Sequence, residues 1–355
     1  MKVGIVGGGL IGTSIALKVA KSGGLVRIID RNGAHARVAN ELIGSALLSE
    51  DVRPELVVVA TPVDSISQVV VEQLLLNPDA TVIDTGSIKT KVQVEVWTKL
   101  EEMTRTAEFA RFVPTHPMAG RELSGPDGAR SDLFEGRAWA ITPHGKGDGH
   151  AVDATKAFIS AMGAAAYLMS AQEHDRQVAM TSHLPQVLAS ALAGILVEPL
   201  DLAGQGLRDM TRLANSDISM WQPILAGNAE MIAPLLDQII KSINELRNKN
   251  FSVESVLAFM EQGARGAGKV PGKHGGVPRH YGALSVVIPD EAGQLARLFI
   301  DCADAKINIE DLRIEHSPGQ ETGLISLYVN PGDLSTLNNH LSTLGWHSTV
   351  MSKGL

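Results

Sequence analysis

Short apolar runs recur through the first half of the chain, at residues 2–7, 25–30, 56–61, 81–85, 111–115, 138–142 and 165–169, and most are separated by stretches with helical periodicity. A run that is apolar throughout, rather than alternating, belongs to a strand covered on both faces, and the intervening helices supply that cover. Residues 1–169 are therefore predicted to form an α/β domain with a doubly wound, mostly parallel sheet. From Ser170 to about Arg265 the strand pattern disappears, while residues 171–197 and 228–249 keep a helical period. Residues 170–264 should form an all-helical domain. Within it, residues 190–197 are apolar nearly all round, which requires burial on every side, inside the domain or against a second copy of the chain. A homodimer built on these helices is expected.

A glycine-rich, basic stretch follows, Gly263 to Gly276, and residues 265–282 read as a linker whose basic side chains could instead close over a phosphate or carboxylate. Beyond it come strand 283–288, helix 293–305, strands 309–315 and 322–329, helix 333–344 and strand 347–351. That βαββαβ order predicts a small α+β domain over residues 283–355.

The first strand runs into Gly7-Gly8-Gly9-Leu10-Ile11-Gly12 and then a helix rich in small residues. Gly-x-Gly-x-x-Gly at a strand-to-helix turn is a dinucleotide pattern: Gly7 permits the turn, Gly9 lets the backbone approach a pyrophosphate, and Gly12 seats the helix on the sheet. The helix N-terminus, with its free N–H groups, favours anions. The second strand ends at Asp30, eighteen residues after Gly12, near the ~20 expected for an acid that binds a ribose hydroxyl. Together these features make the first domain Rossmann-type. Asp30 would hydrogen-bond the ribose diol of NAD and repel a 2′-phosphate, so NAD is the expected cofactor; Arg31 beside it leaves NADP as a less favoured alternative. Ligands of such sheets lie at the carboxyl ends of strands, which brings Thr61-Pro62 and Asp84-Thr85-Gly86-Ser87 to the cofactor as well.

Composition narrows the setting. The 355 residues are 44% hydrophobic, carry a net charge of −8 and contain no Lys/Arg block, which argues against nucleic acid or an anionic membrane as partner. The single cysteine, Cys302, excludes an internal disulfide, and no His/Cys cluster has zinc-ligand spacing. No apolar run reaches the ~18 residues of a membrane span, and the N-terminal stretch lacks a cleavage-type pattern. A cytoplasmic, metal-free protein is expected.

A nicotinamide dehydrogenase needs a proton acceptor and, for an anionic substrate, a cation. Four residues are candidates. His116, in Thr115-His-Pro-Met-Ala-Gly120, ends a sheet strand beside the cofactor, or is a structural loop residue. The Ser87 hydroxyl could bond a substrate hydroxyl and His116, and could also cap the helix starting near Lys89. His183 precedes Pro185, which removes the N–H for the Thr181 carbonyl and predicts a kink bordering a pocket. Arg212 can clamp a carboxylate bidentately, with Asp209 orienting it at i,i+3, unless the two are only a surface pair. His174, nine residues before His183, lies about 180° round a regular helix from it. Both cannot face one pocket unless the helix breaks; His183 takes that place and His174 is left a domain-contact role.

The runs Asp84-Thr-Gly-Ser-Ile-Lys89, Thr115-His-Pro-Met-Ala-Gly120, Thr181-Ser-His-Leu-Pro185, Arg208-Asp-Met-Thr-Arg212 and Met220-Trp221 resemble, in order and spacing, the prephenate dehydrogenase family, which includes arogenate dehydrogenases. The resemblance covers residues 1 to about 262. It implies oxidation of a ring C4 hydroxyl coupled to loss of the ring carboxylate, giving 4-hydroxyphenylpyruvate, CO2 and NADH. It also implies that His116 is the catalytic histidine, Ser87 the serine near nicotinamide and substrate hydroxyl, His183 a substrate contact, Arg212 the carboxylate-binding arginine and Glu122 an acid near the site entrance. Gln186 is a candidate contact for telling prephenate from arogenate. Residues 288–297 and 306–312 resemble an ACT domain, which implies tyrosine as effector, although Ala292 stands where a proline is usual before the helix glycine. Arogenate oxidation is the alternative within the family, and a non-catalytic NAD and amino-acid sensor the alternative outside it. The helical-lysine dehydrogenases are disfavoured because residues 171–197 contain no lysine.

Overall fold

The computed structural model describes residues 1–120, 125–270, 281–316 and 322–351, so the Glu122 expectation and most of the predicted linker lie outside the described residues. The described residues form two compact units: residues 1–196 with 211–239, and residues 197–210 with 240–355.

The first unit opens with β1 (Lys2–Val6), α1 (Leu10–Lys21), β2 (Leu25–Ile29), α2 (Gly33–Ile43), β3 (Leu56–Val59), α3 (Val63–Leu76), β4 (Thr81–Asp84), α4 (Thr90–Glu102) and β5 (Phe112–Val113). The five strands form one parallel sheet in the order β2-β1-β3-β4-β5. Beyond β2, a lone parallel bridge between Val26 and Leu47 is all that stands for an outer strand. The predicted two-sided cover is visible in β3: Leu56 and Val58 enter one core with Ile5 and Ile15, while Val57 and Val59 enter the other with Ile66 and Val70. The strand order reverses between β1 and β3, the position at which such sheets bind ligands.

The predicted strand at residues 111–115 does not stay in that sheet. Pro114 has no N–H to give to a ladder, and the chain divides there into β5 and β6 (Thr115–Pro117). β6 pairs antiparallel with β7 (Ala138–Ile141), which follows a loop, and after α5 (Gly149–Ala161) β8 (Ala165–Leu168) pairs parallel with β7. The single sheet expected from the sequence is therefore two.

Helices α6 (Ala171–Val178), α7 (Leu184–Gly194), α8 (Gln205–Thr211), α9 (Ile218–Gly227), α10 (Ala229–Asn248) and α11 (Val253–Ala267) follow, confirming a helical region without strands. The long helix predicted from residue 171 is interrupted where the kink at Pro185 is expected. A π-turn, Ala179–His183, joins α6 to α7, with Pro185 in the first turn of α7. The widened turn removes the clash of the Pro185 ring with the Thr181 carbonyl that a regular helix would impose. No helix among the described residues is long and apolar enough to cross a membrane.

The second unit ends in β9 (Gly282–Pro289), α12 (Gln294–Asp304), β10 (Asp311–His316), β11 (Thr322–Val329), α13 (Leu334–Thr343) and β12 (His347–Val350). This is the predicted βαββαβ order. The sheet is antiparallel, β10-β11-β9-β12. Its core joins Leu284, Val286, Leu298, Leu337 and Trp346 with Cys302, which is 1% exposed.

Candidate active site

At the switch point, Gly7 has φ of +110°, and a Cβ there would lie 2.4 Å from the Ala60 carbonyl oxygen at the end of β3. A Cβ on Gly12 would lie 1.9 Å from the Gly7 carbonyl oxygen, so this glycine seats α1 on β1. Gly9 differs: a Cβ there would meet nothing within 4 Å. Gly9 is also the N-cap of α1, with no side chain capping the helix and no acid in its first turn. The first-turn N–H groups thus face an open position with the polarity an anion needs. Leu10 and Ile11 begin that turn. Asp30 lies over it, accepting the Gly8 N–H at 2.7 Å and the Asn32 N–H at 2.7 Å. Thr61 at the end of β3 carries a buried hydroxyl oxygen without a hydrogen-bond partner, next to exposed Pro62. An uncapped helix end, an open glycine, an acid beside it and an orphaned hydroxyl fit a dinucleotide.

The second half of the site is organised by a buried ion pair. Asp84, last in β4, and Lys89 are both fully buried and bonded to each other. Asp84 also accepts the N–H groups of Gly86 at 2.9 Å and Thr115 at 3.2 Å, and Lys89 Nζ donates to the Thr115 carbonyl at 2.7 Å. The pair ties the loop carrying Ser87 to the strand carrying His116. Burial pushes the Lys89 pKa down, against the pull of Asp84.

Ser87 is half-buried and makes no hydrogen bond to His116, whose Nδ1 faces Nε2 of His174 at 2.9 Å. Nor does it cap α4. That role belongs to Asp175 on α6, whose carboxylate accepts the N–H of Lys89 and of Thr90, each at 2.8 Å, and also bonds His174 Nδ1 at 2.8 Å. Burial raises the Asp175 pKa, but the hydrogen bonds from His174, Thr90 and Lys89 outweigh it and hold the carboxyl below its usual range.

His174 is therefore drawn into the site, contrary to its expected exclusion. Nine residues of regular helix put His174 and His183 about 180° apart, but the π-turn absorbs one extra residue and reduces the difference to roughly 80°. His183, 1% exposed, bonds Asn228 Nδ2 through its Nδ1 at 3.0 Å, and the same amide donates to the Asp175 carbonyl at 2.8 Å. Since that carbonyl only accepts, the Asn228 amide nitrogen faces His183, and His183 carries its own proton on Nε2. Burial holds His183 down to about 4. Burial, with His174, Lys89 and His183 as neighbours, holds His116 well below its usual value. One histidine is thus a neutral donor and the other can be a base.

Around them, Trp221 meets His183 edge-on at 6.1 Å with its indole N–H unpartnered, and Gln186, 4% exposed, has an unpartnered Oε1. Arg212 is exposed on a short turn, Arg212–Asn215, that packs against α7. Among the described residues no group of acids, histidines and cysteine could hold a metal. The sequence offers no site role for Asp175, Asn228 or Lys89 and only a domain contact for His174; the adjacency of His174 and Asp175 is the signal that could have paired them.

A doubly wound sheet with an uncapped glycine turn at its switch point, and a histidine cluster tied to the end of its fourth strand, defines a dinucleotide-dependent oxidoreductase. The family models for prephenate dehydrogenase match residues 15–168 as its nucleotide-binding domain and residues 170–261 as its dimerization domain. The chain belongs to the prephenate dehydrogenase family and is an oxidoreductase. Probable prephenate dehydrogenase NovF of Streptomyces niveus is 28% identical over 361 residues, covering 96% of this chain and 98% of its own. Cyclohexadienyl dehydrogenase of Zymomonas mobilis is 30% identical over 261 residues, covering 69% of this chain and 87% of its own. Among solved structures, prephenate dehydrogenase from A. aeolicus, in complex with hydroxyphenyl propionate and NAD+, matches with a TM-score of 0.66 and 29% identity over 75% of this chain and 97% of that one.

Proposed function

We propose that the protein oxidises and decarboxylates prephenate to 4-hydroxyphenylpyruvate with NAD. The observation that carries this reading is a half-buried His116 with its basicity lowered, tied through Thr115, Asp84 and Lys89 to the strand ends beside the glycine turn. Gly7, Gly9, Leu10, Ile11, Gly12, Asp30, Thr61 and Pro62 hold the cofactor, and Asp30 selects NAD over NADP by meeting the ribose diol. The bound nicotinamide supplies the hydride acceptor. His116 takes the C4 hydroxyl proton as the C4 hydrogen leaves with its electron pair. It returns the proton to that oxygen when the ring carboxylate departs as CO2 and its bonding electrons complete the aromatic ring. Ser87 holds the hydroxyl, and His183 and Arg212 hold the side chain and carboxylates.

The dimer forms through residues 170–261, in keeping with the family model's description of that segment. The terminal βαββαβ domain is ACT-like and binds tyrosine as a feedback inhibitor. Arogenate is the second reading, favoured by the unpartnered acceptor Oε1 of Gln186, which suits an ammonium. Initial rates of NADH formation with prephenate and with arogenate, using NAD and NADP, with and without tyrosine, test all of this. Prephenate with NAD should be fastest and tyrosine should slow it; no reduced cofactor from either substrate overturns the reading.

A further inference from the structure

We infer that Asp175 and His174 form a positioning relay that keeps the Nδ1 proton of His116 in place, so that its Nε2 is always the lone-pair end offered to substrate. The inference rests on His116 being the proton acceptor proposed above.

With His174 taken as the neutral imidazole, the chain of bonds leaves one arrangement of protons. Asp175 accepts two backbone N–H groups from α4 and so is fixed in place as a carboxylate. A carboxylate only accepts, so at 2.8 Å the hydrogen between it and His174 Nδ1 belongs to the imidazole. A neutral His174 then has a bare Nε2. At 2.9 Å from that nitrogen, His116 Nδ1 must be the donor, and the free lone pair of His116 lies on Nε2. The opposite tautomer would place two lone pairs against each other and turn Nε2 into a donor, useless for removing a hydroxyl proton.

The relay also acts after the proton arrives. Protonation at Nε2 makes His116 a cation whose Nδ1–H already points at His174, which can share the charge and set it against Asp175. Burial and the nearby Lys89, itself paired with Asp84, otherwise oppose a cation on His116. Among the described residues, Asp175 is the carboxylate that reaches His116 through a hydrogen-bonded imidazole. It is also the residue that joins α6 to the start of α4, so the same side chain sets backbone geometry and proton placement.

The test uses the full chain labelled with 15N-histidine, whose ring nitrogens report which one carries hydrogen, with His116 assigned by loss of its signals in His116→Asn. Wild type should show His116 protonated at Nδ1. His174→Phe, which fills the space but cannot accept, should release His116 to the Nε2–H form and lower kcat by roughly 100- to 10,000-fold, with KM for NAD nearly unchanged. His174→Gln, whose carbonyl oxygen can accept from Nδ1–H, should restore the tautomer and part of kcat. Should His174→Phe fail to fold, Asp175→Asn gives a second reading: the acid limb of the kcat/KM profile should move to lower pH as the base weakens. An Nε2–H signal for wild-type His116, or variants with unchanged kcat and pH profile, overturns the relay. Near-normal kcat in His116→Asn would instead remove the base assignment beneath it.

Discussion

Asp175 caps a helix that begins 85 residues earlier, its Oδ2 accepting the N–H of Thr90 at 2.8 Å. A contact of such range makes the helical segment part of the scaffold for the Ser87 loop. Asp175→Ala should cost about 1–3 kcal/mol, the loss of an N-cap with donors left unmet. Because the folded pKa is below the unfolded ~3.9, the contribution is present above that pH and is lost as pH falls through the folded value. Urea titrations should show wild type losing its advantage over Asp175→Ala only in that acid window; an equal gap at all pH values would contradict it.

His183 carries a pH signature at milder acidity. Its folded pKa is held to about 4, against ~6.5 when unfolded. The unfolded chain therefore binds more protons between these values, and stability should fall as pH drops from ~6.5 toward 4. Thermal melts of His183→Gln across this range should be flatter than those of wild type.

The buried pair Lys89–Asp84 should behave asymmetrically. Lys89→Met strands a carboxylate with no exposure and should cost about 3–5 kcal/mol. Combining it with Asp84→Asn should recover part of that loss. Denaturant midpoints of the two variants decide, and equal midpoints would count against a paired charge.

Two glycines of the turn, Gly9 and Gly12, should separate by what they do. Gly9→Ala meets no protein atom within 4 Å, so the fold should hold while NAD affinity falls at least tenfold. Gly12→Ala places a methyl 1.9 Å from the Gly7 carbonyl and should lower the melting temperature outright. Calorimetric NAD titration beside a thermal melt distinguishes the two.

If Asp30 meets the ribose diol as proposed, Asp30→Ala should raise KM for NAD and leave KM for NADP little changed or lower, since a carboxylate there bonds the diol and repels a 2′-phosphate. Initial rates with both cofactors check this.

Local pattern carried the elements well, since a glycine turn, a doubly covered strand and a βαββαβ order are each written within a short span of residues. It failed where distant groups decide the outcome. Ser87 looks like a cap in its own sequence, yet Asp175 arrives from another helix and takes the position. An even helix sets His174 opposite His183, and the break that Pro185 predicts takes the form of a widened turn that brings both histidines inward. Pro114 was visible, but that it divides one strand between two sheets depends on where β7 lies.

Cys302 sits in the core of the terminal sheet, 1% exposed, with burial pushing its thiol up to about 11. Sulfhydryl reagents attack the thiolate, so in the closed domain this atom is silent twice over, shielded and protonated. As the sole cysteine of the chain, it makes the protein its own chemical stopwatch: the rate at which it becomes labelled measures how often that one sheet opens, with no probe added and no competing signal from the rest of the molecule.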